Sequence, residues 1–160
     1  MTEDVRSDTA LPLPALLDDV SQLGFAELRR GLTEEGHPTL RSGHGCVFRY
    51  IDAEGSRLTV LAERSGLTKQ AVGEVVDDLE RMGYVERAPD PVDGRAKIIR
   101  LTERGADGRR AALRIFAETE DRWAERFGEE QIAHLRALLE EIVTESEATA
   151  ADARRAFAAA

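Results

Sequence analysis

Apolar residues recur with a helical period at both ends of the chain, and the period changes in the middle. Leu13, Leu16, Leu17, Val20, Leu23 and Leu28 fall near the 3.6-residue repeat, predicting an amphipathic helix from Leu13 to Arg30 with Gly31 as its stop. The next segment, TLRSGHGCVFRYI, places Cys46, Val47, Phe48 and Ile51 at its apolar end. It predicts a second helix with Thr39 as N-cap, against a cost of about 1 kcal/mol for each of its two glycines. Residues 104–126 and 129–157, rich in Ala, Leu, Glu and Arg, predict two further helices separated by a break at RFGEEQ. Beyond an alanine-rich tail after Ala148 there is no low-complexity segment, and no internal repeat. Ile115, Trp123, Phe127, Ile132, Leu135, Leu138, Leu139, Ile142 and Val143 form stripes that need cover. Either the rest of the monomer or a second copy of the chain supplies it.

The middle carries the most specific pattern, LTVLAERSGLTKQAVGEVVDDLERMGYVER. Thr59 is placed to cap a short helix through Arg64, Gly66 sits in a turn suited to positive φ, and Thr68 is placed to cap a second helix ending at Gly83. Two helices joined by a short glycine-containing turn make a helix-turn-helix. In the second helix Val72, Val75, Val76 and Leu79 form one buried stripe, which leaves Lys69, Gln70, Gly73, Glu74 and Asp77 on the opposite face. A face of this kind docks in the major groove of DNA.

After Gly83 the period shortens. YVERA and RAKIIRLT read as strands, and PDPVDG between them is dense in turn formers, with Pro91 and Gly94 expected to set a tight turn. A hairpin directly behind a helix-turn-helix is a wing, and an arginine on a slim hairpin fits a narrow minor groove. In the loop DPVDGRAK that arginine is Arg95, with Asp93 bracing the loop and Lys97 near phosphate. The fold class expected is mainly α with a small β-hairpin wing, a winged helix-turn-helix on a helical dimerisation frame.

Charge sharpens this picture. The chain of 160 residues has a net charge of -9, which argues against a general polyanion binder. From Arg57 to Arg110, however, 11 Lys plus Arg face 10 Asp plus Glu, so the winged segment is near neutral and the acidity lies outside it. No run approaches the ~18 apolar residues of a membrane span, and MTEDVRSD lacks the basic-then-apolar layout of a secretory signal. A cytoplasmic protein is expected. The lone Cys46 forms no internal disulfide, and no glycine-rich phosphate loop or nucleophile motif suggests an enzyme. His37, His44 and His134 have no metal-ligand spacing, so neither metal nor cofactor is expected.

The run from Leu58 to Gly105 closely resembles the MarR (multiple antibiotic resistance regulator) family, with Asp93 and Arg95 matching its D-x-R wing signature and LTERG its exit from the wing. The resemblance implies one domain over residues 1–160, with 13–31 and 104–157 as dimerisation helices and 39–103 as the DNA-binding lobe. It implies a homodimer on a pseudo-palindromic operator, usually a repressor released by a small ligand or by oxidation. DNA contacts are then expected from Thr59, Thr68, Lys69, Gln70, Gly73, Glu74, Asp93, Arg95 and Lys97. Glu74 either reads a cytosine amino group or is a solvated charge.

One departure stands out: Glu74, Asp77, Asp78 and Glu80 make this recognition helix acidic. More affinity must then come from the wing and from helix N-termini. For an effector, Phe25, Arg29, Arg41, His44 and Phe48 would suit a small aromatic carboxylate or phenol, with core packing and surface solvation as the alternative. Two further readings stay open. One is a winged-helix module acting through protein contacts, and the other is redox sensing through Cys46. His44 does not activate that thiol, since residues two apart on a helix point about 200° apart.

Overall fold

The computed structural model describes residues 11–158, with side chains described as far as Ser146. The opening MTEDVRSD lies outside the described residues, as do the side chains of the alanine-rich tail. Two compact units divide after Phe116.

The first unit begins with α1, Leu13–Glu34, a 22-residue helix. It runs one turn past the expected stop because Gly31 is a packing glycine. A Cβ there would sit 2.7 Å from Ile115 Cδ1, so the missing side chain lets another helix approach. The expected second helix is broken into a 3-10 turn, Ser42–His44, and a single turn of helix, α2, Gly45–Phe48. Thr39 does not cap it. His44 does the local work instead, its Nδ1 accepting the Arg41 backbone N–H at 3.1 Å.

A strand of two residues, β1 (Ser56–Arg57), precedes α3 (Leu58–Ser65) and α4 (Lys69–Arg81). Thr59 lies inside the first turn of α3, whose cap position is Arg57, so it is not the cap. The hairpin strands are β2 (Val85–Pro89) and β3 (Lys97–Leu101), antiparallel with Val85 opposite Leu101 and Pro89 opposite Lys97. β1 pairs on the other side of β3, giving the order β1-β3-β2. The hairpin leads into α5, Glu103–Phe127, and the last helix is α6, Glu129–Ala158.

The core of the first unit centres on Tyr84, which is fully buried with Leu61, Val47, Val72, Val76 and Leu79. Its hydroxyl accepts from Arg104 at 3.1 Å and meets His37 Nδ1 at 3.2 Å, while His37 Nε2 reaches Asp107 Oδ2 at 3.0 Å. A neutral His37 with its proton on Nε2 satisfies both contacts, giving that proton to the carboxylate and accepting the tyrosine O–H. His37 holds the Asp107 carboxyl below its usual range, with Arg110 adding to the effect. In this way the segment between α4 and β2 is tied to the start of α5.

In the second unit Arg136 of α6 pairs with Glu120, and Leu135, Leu138, Ile142 and Val143 of α6 are each exposed by 44% or more.

Candidate nucleic-acid interface

The helix-turn-helix forms where the sequence placed it. Gly66 closes α3 in the left-handed region at φ 69°, and Thr68 Oγ1 accepts the Ala71 N–H at 3.1 Å to cap α4. Val72, Val76 and Leu79 are wholly buried, Val75 only half, so the opposite face points away from the core. On that face Lys69, Gln70, Glu74 and Asp77 are exposed, and Gln70 Nε2 donates to Glu74 Oε1 at 3.3 Å. Gly73 is half-buried, yet a Cβ there would meet nothing nearer than Leu58 Cδ2 at 3.8 Å. Internal packing therefore does not demand a glycine at 73. Gly83 ends the segment at φ 77°, with the Tyr84 N–H bonding back to the Leu79 carbonyl at 2.9 Å.

Most of the acidity of α4 is engaged within the protein. Arg87 on β2 donates to Asp77 Oδ1 at 2.6 Å and also pairs with Glu80, bridging two carboxylates with one guanidinium. Asp78 Oδ2 is 3.2 Å from the buried His44 Nε2, and its Oδ1 accepts from Arg81 at 2.7 Å. The His44 contact, more than Arg81, holds the Asp78 carboxyl below its ordinary value. The first turns of α4 are left with Lys69, Gln70, Gly73 and Glu74. Carboxylates that looked hostile to DNA in the sequence are tied to cations toward the C-terminal end of the helix.

A different carboxylate from the one expected holds the wing. Asp90 is buried, and its Oδ1 accepts the N–H groups of Val92 at 2.8 Å and Asp93 at 3.2 Å. Its Oδ2 takes Arg57 Nε at 2.6 Å. The Val92 N–H first and the Arg57 guanidinium second keep the Asp90 carboxyl below its usual range. Asp93 plays a lesser part, accepting the Arg95 N–H at 3.2 Å with its other oxygen 4.0 Å from Arg57. Gly94 is not among the positive-φ glycines, so the loop is shaped by Asp90 and Asp93 rather than by glycine freedom. Arg95 and Lys97 stand exposed, and neither has an ion-pair partner among the described residues. Arg57, Arg87 and Asp90 escaped sequence reasoning, because partners 7 to 33 residues apart leave no local pattern.

The five residues expected at an effector site have different immediate neighbours. Phe25 packs edge-on to Phe116, and Phe48 edge-on to Tyr84, each pair 6.3 Å between ring centroids. Arg29 and Arg41 are exposed, whereas His44 is buried against Asp78. The two hollows described lie elsewhere. One, of about 430 Å³, is lined by Glu35, Gly36, His37, Glu103, Arg104, Asp107 and Arg110. The other, of about 310 Å³, lies at the wing base beside Arg57, Arg64 and Asp90. Cys46 is half-buried, donates its thiol to the Gly43 carbonyl at 3.3 Å, and has its pKa pushed up by burial. A raised pKa leaves less thiolate, the reactive form. Among the described residues no helix is long and apolar enough to cross a membrane.

Comparison with known proteins places these features in a family. The model of the MarR family matches residues 40–96, which span α2 to the wing. An HTH-type transcriptional regulator of Mycobacterium tuberculosis is 36% identical over 74 residues, 39% of this chain and 52% of the relative. The regulator YdcH of Bacillus subtilis is 39% identical over 69 residues, 42% of this chain and 47% of that one. The chain thus spans about half the length of the curated relatives it matches. Among solved structures, CouR of Rhodococcus jostii RHA1, bound to p-coumaroyl-CoA, is 27% identical with a TM-score of 0.66, over 84% of this chain and 95% of that one. MarR itself superposes with a TM-score of 0.75 over 91% of this chain and 98% of that one; at 24% identity it speaks for the fold alone. The winged helix, residues 40–96, thus matches the model of the MarR family, and the fold along most of the chain is the one that MarR has.

Proposed function

We propose that the protein is a homodimeric transcriptional regulator that represses by binding a pseudo-palindromic DNA operator and is released by a small ligand. The observation that carries this reading is the distribution of charge on the winged helix. Among the described residues, Lys69 at the start of α4 and Arg95 and Lys97 on the wing have no ion-pair partner, while the acids at the far end of α4 are bridged by Arg87, Arg81 and His44. Such a surface attracts phosphate locally despite a net charge of -9.

In this reading α4 enters the major groove with Gln70 reading a base edge and Lys69 on phosphate, and Gly73 permits close approach. Thr68, and Thr59 at the start of α3, lie near the backbone; Arg95 enters the minor groove, braced by Asp93, and Lys97 follows the adjoining phosphates. Residues 39–103 are the DNA-binding lobe, and 13–31 with 104–157 the dimerisation region. Support for the dimer comes from α1, where Leu13, Leu16, Val20 and Leu23 form one stripe at spacings of three and four, each 43% exposed or more. A second copy is the simplest cover for it. The acyl-CoA bound by CouR supports a small aromatic effector, for which Phe25, Arg29 and Arg41 remain exposed.

The test is selection of bound fragments from a random DNA pool, followed by footprinting. The reading predicts one enriched pseudo-palindrome whose half-sites lie about one helical turn, ~10 base pairs, apart. No enrichment, with retention on DNA insensitive to salt, would instead favour a winged-helix module that works through protein contacts.

A further inference from the structure

Lysine is nearly absent from this chain. Among 22 Lys plus Arg the only lysines are Lys69 and Lys97. Lys69 is the first residue of α4 and Lys97 the first of β3, so both lie on the surface proposed to meet DNA. Both are exposed, and neither has an ion-pair partner among the described residues. Three arginines of the same lobe are engaged, Arg57 with Asp90, Arg64 with Asp52 and Arg87 with Asp77 and Glu80, while Arg95 shares the lysines' lack of an ion-pair partner among the described residues.

The two cation types differ chemically. A guanidinium stays protonated up to about pH 12 and resists acylation, whereas an ammonium releases a nucleophilic amine far more readily. Acylation of lysine removes its charge. Every side-chain amine that an activated acyl group can modify in this protein therefore stands on the surface proposed to meet DNA.

We infer that Lys69 and Lys97 are acylation sites whose modification switches off operator binding, an inference that rests on the DNA-binding reading above. The donor is an activated acyl group, either an acyl thioester or an acyl phosphate. The ammonium first gives one proton to water, and the Nζ lone pair of the free amine then attacks the acyl carbonyl carbon and forms an amide. The carbon–sulfur or carbon–oxygen bond breaks, thiolate or phosphate departs with the bonding pair, and the displaced N–H proton passes to water. Each event converts an ammonium into a neutral amide with no redox change.

Full-length protein would be treated with acetyl phosphate and, separately, with acetyl-CoA, each with and without the DNA selected from the random pool. Peptide mass mapping and a salt titration of binding are the readouts. Lys69 and Lys97 are expected to gain acetyl groups in free protein and to be shielded by the DNA; whichever donor modifies them identifies the source. Affinity should then fall about tenfold or more, and the salt slope should flatten by about one phosphate for each lysine lost. In the K69R/K97R double variant the ratio of affinities before and after treatment should stay near one, whatever its starting affinity. The amino terminus is modified in both proteins and serves as the internal control. Acetylated wild type that binds like untreated protein, an equal loss in the double variant, or lysines that neither donor modifies would overturn the proposal. If untreated protein selects no DNA, the functional reading fails first and takes this one with it.

Discussion

In the proposed reading, Arg87 decides whether the exposed face of α4 is tolerable to DNA. It bridges Asp77 and Glu80, so removing it releases two carboxylates beside the proposed groove-facing surface. Arg87→Ala is expected to weaken operator binding roughly tenfold or more, since like charges facing each other across an interface are costly. The same substitution combined with Asp77→Asn and Glu80→Gln should recover most of the loss. If it does not, Arg87 acts by another route. Asp90 makes a prediction about pH. Its carboxyl is held below the usual range in the folded protein, so its contribution to stability is complete above the unfolded value of about 3.9 and disappears as pH falls through the lowered folded value. Asp90→Asn keeps an acceptor for the loop N–H groups but loses the charge opposite Arg57. Denaturant unfolding of the two proteins should therefore differ at neutral pH, and the difference should close below about pH 4. A difference that grows on acidification would contradict this account of the wing base.

Elements with strong local signals were legible in the sequence, and those made by distant partners were not. Thr68, Gly66 and the Val72, Val76 and Leu79 stripe announced the helix-turn-helix because caps, turn glycines and helical spacing are local properties. β1 was invisible, since two residues have no periodicity and form a strand only by pairing with β3. The sequence predicts a second helix from Thr39, but Gly43 and Gly45 weaken helix there and His44 takes over the turn. Gly31 reads as a stop because a glycine that ends a helix and one that admits Ile115 look alike in sequence. At the junction of wing and α5, Gly105 of the LTERG run shows a demand that the motif only hinted at. A Cβ there would lie 1.9 Å from the Tyr84 carbonyl oxygen, which already accepts the Thr102 N–H at 3.1 Å. Backbone cannot step aside as a side chain does. Gly105→Ala should destabilise the fold by about 3 kcal/mol despite alanine's better helix propensity, as measured by chemical denaturation. A neutral effect would mean that the hairpin and α5 are less tightly joined than these distances imply.

At the scale of the whole molecule, the account rests on two copies of the chain presenting two winged helices to one operator. The exposed stripe of α1 and the exposed Leu135, Leu138, Ile142 and Val143 of α6 are apolar faces that a second copy of the chain would cover. Sedimentation should find a dimer at micromolar concentration, and removal of the residues after Gly128 should give aggregation or a weakened monomer; a stable, DNA-competent monomer after that truncation would rule out the architecture. The candidate site was legible as a pair of surfaces, the α4 face and the wing, because both follow from local pattern. Its neutralisation by Arg87 and its bracing by Arg57 and Asp90 were not, because each joins separate elements. The most direct test is a salt titration of operator binding for wild type, Arg95→Ala and Gln70→Ala. Arg95→Ala should cost roughly 1 to 3 kcal/mol and flatten the salt slope by about one phosphate per half-site. Gln70→Ala should leave the slope nearly unchanged while relaxing discrimination among operator variants, because base contacts carry sequence information and phosphate contacts do not. If Arg95→Ala binds like wild type at every salt concentration with the dimer intact, the hairpin is an ordinary surface loop and the wing carries none of the binding assigned to it.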